Sequence, residues 1–308
     1  SREGVQGTQR STPAGARGGK QRRRRAPGWV PNQHGAWAML VAPVLVGSWP
    51  TFAWRQLLLL VVAIAAYLAL YAVGLWLKAG RKPRYLPAAR TYAIIAATLL
   101  GLLVLSQPRL LAWAPAYGAG IVLSLLASRW REDRSWWNDI VLVILACGAT
   151  LVAAGLRPVA GGVAVPAIAP SPMAWPPPGL NEGWALTATA ILLAYFLGTV
   201  VHVKAMIRNR NDPGVYFASV LYHAAVLVVA VLTIAWTGGA FALLVLGDGH
   251  IAWGPWLLLL TATALLARAI LVPRRWPGLS PRGIGLVELV AAVLVMATAG
   301  VFAHEVLV

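Results

Sequence analysis

Polar residues divide this chain into long apolar runs, and the lengths of those runs set its architecture. Crossing a hydrocarbon core of about 30 Å takes about 20 helical residues. The pattern predicts helices over residues 34–49, 56–77, 89–105, 111–127, 137–155, 184–205, 215–236, 251–271 and 284–304. Lipid offers no water to backbone groups, so apolar runs of this length satisfy themselves as helices. The expected fold is an all-α, polytopic transmembrane helical bundle of nine spans. The apolar stretch 241–247 is too short to cross and reads as an interfacial or partly re-entrant piece of a loop.

The gaps between runs alternate in charge. The segment before the first span holds eight Lys or Arg, the stretch from Lys78 to Arg90 five, Arg129 to Arg134 three, Lys204 to Arg210 three, and Arg268 to Arg282 four. The other gaps hold only Arg55, Arg109 and Arg157. Cytoplasmic loops retain positive charge, so the pattern predicts a multi-pass cell-membrane protein with a cytoplasmic N-terminus and an external C-terminus. A tenth span through 241–247 would break this alternation.

Composition agrees with a lipid environment: 59% of residues are hydrophobic and 11% charged. The formal net charge of +17 is spread over separate loops. Topology accounts for it, and with no nucleic-acid-reading motif present, no nucleic-acid partner is expected. Cys147 is the only cysteine, which excludes an intramolecular disulfide and a CxxC motif. Nearly all fifteen Trp fall near predicted span boundaries, where an indole finds a sheltered ring position and a wet N–H.

Residues 1–28 are too polar to bury a core and read as a disordered basic cytoplasmic tail with no cleavable signal. Its Arg22 to Arg25 run would engage anionic lipid headgroups of the bilayer. Residues 29–308 form the transmembrane domain, in which the Pro-rich outer loop 156–183 is expected to be an irregular cap.

Polar residues inside or beside the spans are the candidate chemistry. They are Asn32, Gln33 and His34 at the first span, Asn138 and Asp139 at the fifth, and Thr199, His202, Lys204 and Arg208 at the end of the sixth. Tyr222 and His223 stand on the seventh, and Glu288 on the ninth. All fall in the half predicted to be cytoplasmic. Helical spacing puts Tyr195, Thr199, His202 and Met206 on one face of the sixth span, and Lys204 with Arg208 on another. A charge facing lipid costs at least about 2.5–3.5 kcal/mol, so such stripes should face the bundle interior.

Singly, Lys204 and Arg208 also fit topology signals, Asp139 and Glu288 partners of loop arginines, and Tyr222 an interhelical hydrogen-bonder. Taken together, His34, Lys204 and Arg208 would converge on an anion, with His202 and His223 deeper in the same cavity. Glu288 needs a partner, His34 or a basic residue of the sixth span. The histidines and carboxylates could also ligate a metal, but their spacing has no diagnostic motif, no axial haem pair stands out, and no cofactor is identified.

At NQHGAWAMLVAPVLVG, GTVVHVKAMIRNR, Tyr222-His223 and GIGLVE, the chain resembles the YwiC-like family of bacterial membrane proteins, from about Trp29 onward. That resemblance implies a multi-pass membrane protein and carries no activity with it. A fainter similarity is to the UbiA superfamily of prenyltransferases, with nine helices, a cytoplasm-facing cavity and a Pro-to-Gly first-span motif like Pro43 to Gly47. UbiA-type enzymes hold magnesium diphosphate with Asp-rich motifs after the second and sixth spans. Here those places read GLWLKAGRKPRYL and HVKAMIRNRND, so the similarity implies a scaffold and no catalytic residues.

The expected function is a cytoplasm-facing cationic pocket for an anionic lipid or isoprenoid-type ligand. The alternatives are a proton-coupled transporter of a small solute and a non-catalytic membrane subunit.

Overall fold

The computed structural model describes residues 28–31, 36–50, 52–157, 171–236 and 253–307. These residues form nine α-helices: α1 (Ala36–Ser48), α2 (Trp54–Lys78), α3 (Leu86–Ser106), α4 (Ala114–Arg129), α5 (Trp136–Ala154), α6 (Gly183–Ile207), α7 (Pro213–Trp236), α8 (Trp253–Arg275) and α9 (Pro281–Leu307). Short 3-10 turns, Pro83–Tyr85 and Pro108–Trp113, lead into α3 and α4. Eight of the spans are long and apolar enough to cross a bilayer. The chain is an all-helical integral membrane protein.

The exception in length is α1, whose 13 residues rise only about 20 Å. The backbone around it nevertheless passes from one end of the bundle to the other. Before α1, the Trp29 carbonyl accepts a 2.8 Å hydrogen bond from Tyr92, near the start of α3. After it, Gln56 in the first turn of α2 donates at 3.1 Å to the Ala153 carbonyl, at the far end of α5. Residues 241–247 and most of the N-terminal tail lie outside the described residues.

Helix ends follow proline and capping chemistry. Pro213 and Pro281 open α7 and α9, where a missing N–H costs nothing. Ser135 caps α5 by accepting from the Asn138 N–H at 3.3 Å. Pro273 sits in the last turn of α8 without ending it, so that helix runs on to Arg275, past the residue 271 expected from hydropathy.

Helices α1 and α5 stand between two lobes, α2–α4 on one side and α6–α9 on the other. The seams between helices are built from small residues: Ala42, Ala153, Ala185, Ala188, Ala269 and Ala299 are buried. Gly47 presses on the Thr150 carbonyl with no room for a side chain. Larger apolar side chains, such as Leu105, Phe217, Leu221 and Val290, face outward. The inside is thus finely packed and the outside greasy, as in a bundle solvated by lipid.

The charged loops meet at one end of this bundle. Lys78 pairs with Asp133 at 2.7 Å, joining the α2 terminus to the α4–α5 loop. Lys204 pairs with Asp139 at 2.6 Å, joining α6 to α5. Arg210 donates to the Leu279 carbonyl at 3.2 Å, joining the α6–α7 turn to the α8–α9 loop. At the opposite end, Arg109 and Trp113 donate to the Pro176 and Pro178 carbonyls at 3.3 and 3.1 Å. The described part of the Pro-rich loop therefore lies over the α5 terminus.

The basic end should face the cytoplasm. Cysteines placed singly at Lys82, Arg129 and Arg275 should react with an impermeant thiol reagent only from that side, and one at Trp175 only from the other. Buried Cys147 gives little background. Labelling of Arg129→Cys and Trp175→Cys from the same side would overturn the topology.

Candidate functional site

Four helices place polar side chains against one another inside the basic half of the bundle. Tyr195, Thr199 and His202 come from one face of α6, His223 from α7, Arg268 from α8 and Glu288 from α9. Arg268 and Glu288 each lie seven residues from the basic end of their helices, hence about 10 Å deep. Only 1% of His202, 2% of His223, and 7% of both Arg268 and Glu288 is exposed.

Arg268 is the hub. Its Nη1 donates to Glu288 Oε2 at 2.6 Å, and its Nη2 lies 3.0 Å from His223 Nε2. His223 Nδ1 lies 2.7 Å from the Ser219 carbonyl, which can only accept. That pattern is satisfied by an imidazole with its proton on Nδ1, leaving Nε2 to accept from Arg268. The guanidinium also sits 5.9 Å from the Tyr195 ring centre. Gly198 permits this packing, since a Cβ there would stand 2.8 Å from the Tyr222 ring and 2.9 Å from His223 Nε2.

The two oxygens of Glu288 differ. Oε2 accepts from Arg268, from Thr199 at 3.0 Å and from Tyr195 at 3.4 Å, while Tyr195 makes its shorter bond, 2.8 Å, to the Glu288 carbonyl. Oε1 is buried with no hydrogen-bond partner and faces His202 Nε2 across 4.0 Å. His202 Nδ1 is buried and equally bare. Among the described residues no three His, Cys, Asp or Glu are placed to hold a metal. The guanidinium fills the space between His223 and Glu288 that a cation would need.

Of the residues singled out by sequence, Thr199, His202, His223 and Glu288 meet here. Met206, expected on the same face of α6, packs elsewhere, with Val272 and Ile284. Tyr222 lies beside the cluster and ties α7 to α6 through the Ala194 carbonyl at 2.8 Å. Lys204 and Arg208 form a separate group at the rim, where both donate to the Arg134 carbonyl, at 3.4 and 3.0 Å. Lys204 also sits 3.9 Å above the Trp136 ring and is neutralised by Asp139. Asn138 is buried but holds the α4–α5 loop, donating to the Asp133 carbonyl at 2.8 Å. Asn32, Gln33 and His34 lie outside the described residues.

Two expectations change. Among the described residues, the partner of Glu288 is not a sixth-span cation but Arg268 of α8. Among the described residues, no hydrogen bond or ion pair links Lys204 or Arg208 to the buried cluster. Sequence reasoning passed over Arg268 by grouping it with loop charges. The available signal was its place inside the apolar run 251–271, at the same depth as Glu288.

Removing one member of the buried pair should cost far more than removing both. Arg268→Ala should destabilise by about 3–5 kcal/mol, because Glu288 is left uncompensated, whereas Arg268→Met with Glu288→Leu should be near neutral or stabilising. Reversible unfolding in mixed micelles measures both. Additive losses in the double variant would show that the pair is not coupled.

Residues 30–154 match the family model described as YwiC-like protein. The chain is also 27% identical over 197 residues, 63% of its length and 73% of the relative's, to the "Uncharacterized protein YwiC" of Bacillus subtilis (strain 168). No solved structure matches. The family model covers α1 to α5 and stops short of the α6–α9 cluster, so the motifs GTVVHVKAMIRNR and GIGLVE lie beyond it. Over residues 30–154, this chain is similar to the YwiC-like family.

Proposed function

We propose that the buried α6–α9 cluster is a proton-exchange site, and that the protein couples loading and unloading of Glu288 to the movement of a small solute across the membrane. The observation that carries this reading is the asymmetry of Glu288, with Oε2 saturated and Oε1 bare toward His202. A purely structural ion pair needs only Arg268 and Glu288. Two histidines and a tyrosine gathered around it, in a region where ionisable groups are expensive, support a functional use.

The chemistry follows from the donor set. Arg268 holds Glu288 against Thr199 and keeps the carboxylate stable without water. A shift of about 1 Å would bring Oε1 and His202 Nε2 into hydrogen-bond range, where a proton can pass. Further along the α8–α9 seam, Thr261 and Thr298 share a 2.6 Å hydrogen bond, and Glu305 accepts from the Gly254 N–H at 2.5 Å near the opposite end. Polar groups thus recur along one seam from the cluster to the far face, which supports transport over a site open to one side only. The reading of the protein as a handler of an anionic lipid or isoprenoid-type ligand draws instead on the cationic rim.

Infrared titration of the protein in liposomes tests the proposal. Acidification should bring up a protonated-carboxyl band that Glu288→Gln removes and His202→Gln moves to a different pH. A pH-dependent carboxyl signal identical in wild type and Glu288→Gln would overturn the proposal.

A further inference from the structure

At the basic end, outside the buried cluster, the α6–α7 turn and the end of α8 enclose a groove of about 500 Å³. Arg210, Tyr216 and Arg274 supply its polar side, and Met206, Pro273 and Pro277 its apolar wall. We infer that this groove takes the phosphate of an anionic bilayer lipid, with Arg210 and Arg274 as the phosphate ligands. The inference stands independently of proton exchange at Glu288.

Both arginines keep their charge free, and the groove brings them together. Lys78, Lys204 and Arg268 each have a carboxylate at 2.6–2.7 Å. Among the described residues neither Arg210 nor Arg274 has one within 4.0 Å, and both are exposed. Asp212, the acid in the groove, is committed to the α7 start, accepting from the Gly214 N–H at 2.8 Å.

Arg210 is held in place without being neutralised. Its Nε donates to the Met206 carbonyl at 2.9 Å and its Nη2 to the Leu279 carbonyl at 3.2 Å. Both Nη1 hydrogens remain free for a phosphate oxygen. Arg274 lies 5.9 Å from the centre of the Tyr216 ring, and the Tyr216 hydroxyl has no hydrogen-bond partner. The groove therefore offers two guanidiniums, one of them oriented by backbone carbonyls.

Position and lining point to a lipid as the source of the phosphate. The groove opens where helices leave the hydrocarbon, and exposed Trp276, beside Pro277, marks that headgroup level. Free phosphate would gain nothing from Met206, Pro273 and Pro277, whereas a glycerol backbone and the first acyl carbons would. The volume falls within the range of small-ligand sites.

Native mass spectrometry of the full chain, exposed to phosphatidylglycerol or phosphatidylcholine with and without inorganic phosphate, tests this. Wild type should retain phosphatidylglycerol selectively, Arg210→Gln and Arg274→Gln should each weaken retention about tenfold, and Arg210→Lys should keep part of it. Inorganic phosphate alone should bind weakly and displace little lipid. Equal retention of phosphatidylglycerol by wild type and the double Gln variant would overturn the inference. So would loss of both lipids alike, or phosphate binding as tight as the lipid's. The Glu288 infrared titration should be unchanged in these variants, so this test and that of proton exchange fail separately.

Discussion

Arg268 and Glu288 meet at 2.6 Å about 10 Å inside the bundle, and the arrangement of the α6–α9 lobe answers to that contact. Neither charge can face lipid, so α8 and α9 must turn these faces inward and pack at matching depth. Some of the pair's other polar atoms find partners, Glu288 Oε2 in Thr199 of α6 and Arg268 Nη2 in His223 of α7, while Glu288 Oε1 and Arg268 Nε stay without one. Close approach of α7 to α6 in turn requires Gly198. One ion pair in a low-dielectric setting thereby fixes the rotation of four helices about their own axes.

The α1–α5 half is organised differently. Its core is apolar, with Val44, Leu59, Val62 and Leu103 buried together, and its buried polar groups are uncharged. Gln56 both receives the Ala53 N–H at 2.6 Å and donates to the Ala153 carbonyl, closing the start of α2 onto the end of α5. Ser48 and Ser128 bond back to carbonyls of their own helices. The YwiC-like match falls on this half, while the ionisable cluster lies in the other. The first half thus offers a packed frame, and the second carries the buried acidic and basic side chains.

The spans were legible because lipid imposes harsh rules on the chain. Apolar run length, alternating Lys and Arg, and boundary tryptophans each mark the same helices, and α1 to α9 follow them within a few residues. Misjudged ends came from proline, which the helix accepts at Pro281 and tolerates at Pro273. The α6 stripe of Tyr195, Thr199 and His202 was legible too, since 3.6-residue spacing fixes a face. The role of Arg268 was not, because in one dimension an inward-facing arginine near a span end looks the same as a topology signal. Lys204, read on a different face from His202, stands about 200° around the helix from it, toward Asp139 and Trp136.

Pairing then accompanies burial among the cations of the described residues, although half-exposed Lys78 also has its acid in Asp133. Where a cation is buried, the structure sets a carboxylate against it, as at Arg268 with Glu288 and Lys204 with Asp139, since an isolated charge there would be costly. At the rim, water screens the charge, and Arg210 and Arg274 stay without acids. A neutral interior under a cationic rim separates two kinds of work. Inside, with Arg268 offset by Glu288, gain of a proton would change the charge of the cluster by a full unit with little water to screen it. At the rim, an uncompensated positive field would attract anionic groups without touching the buried pair.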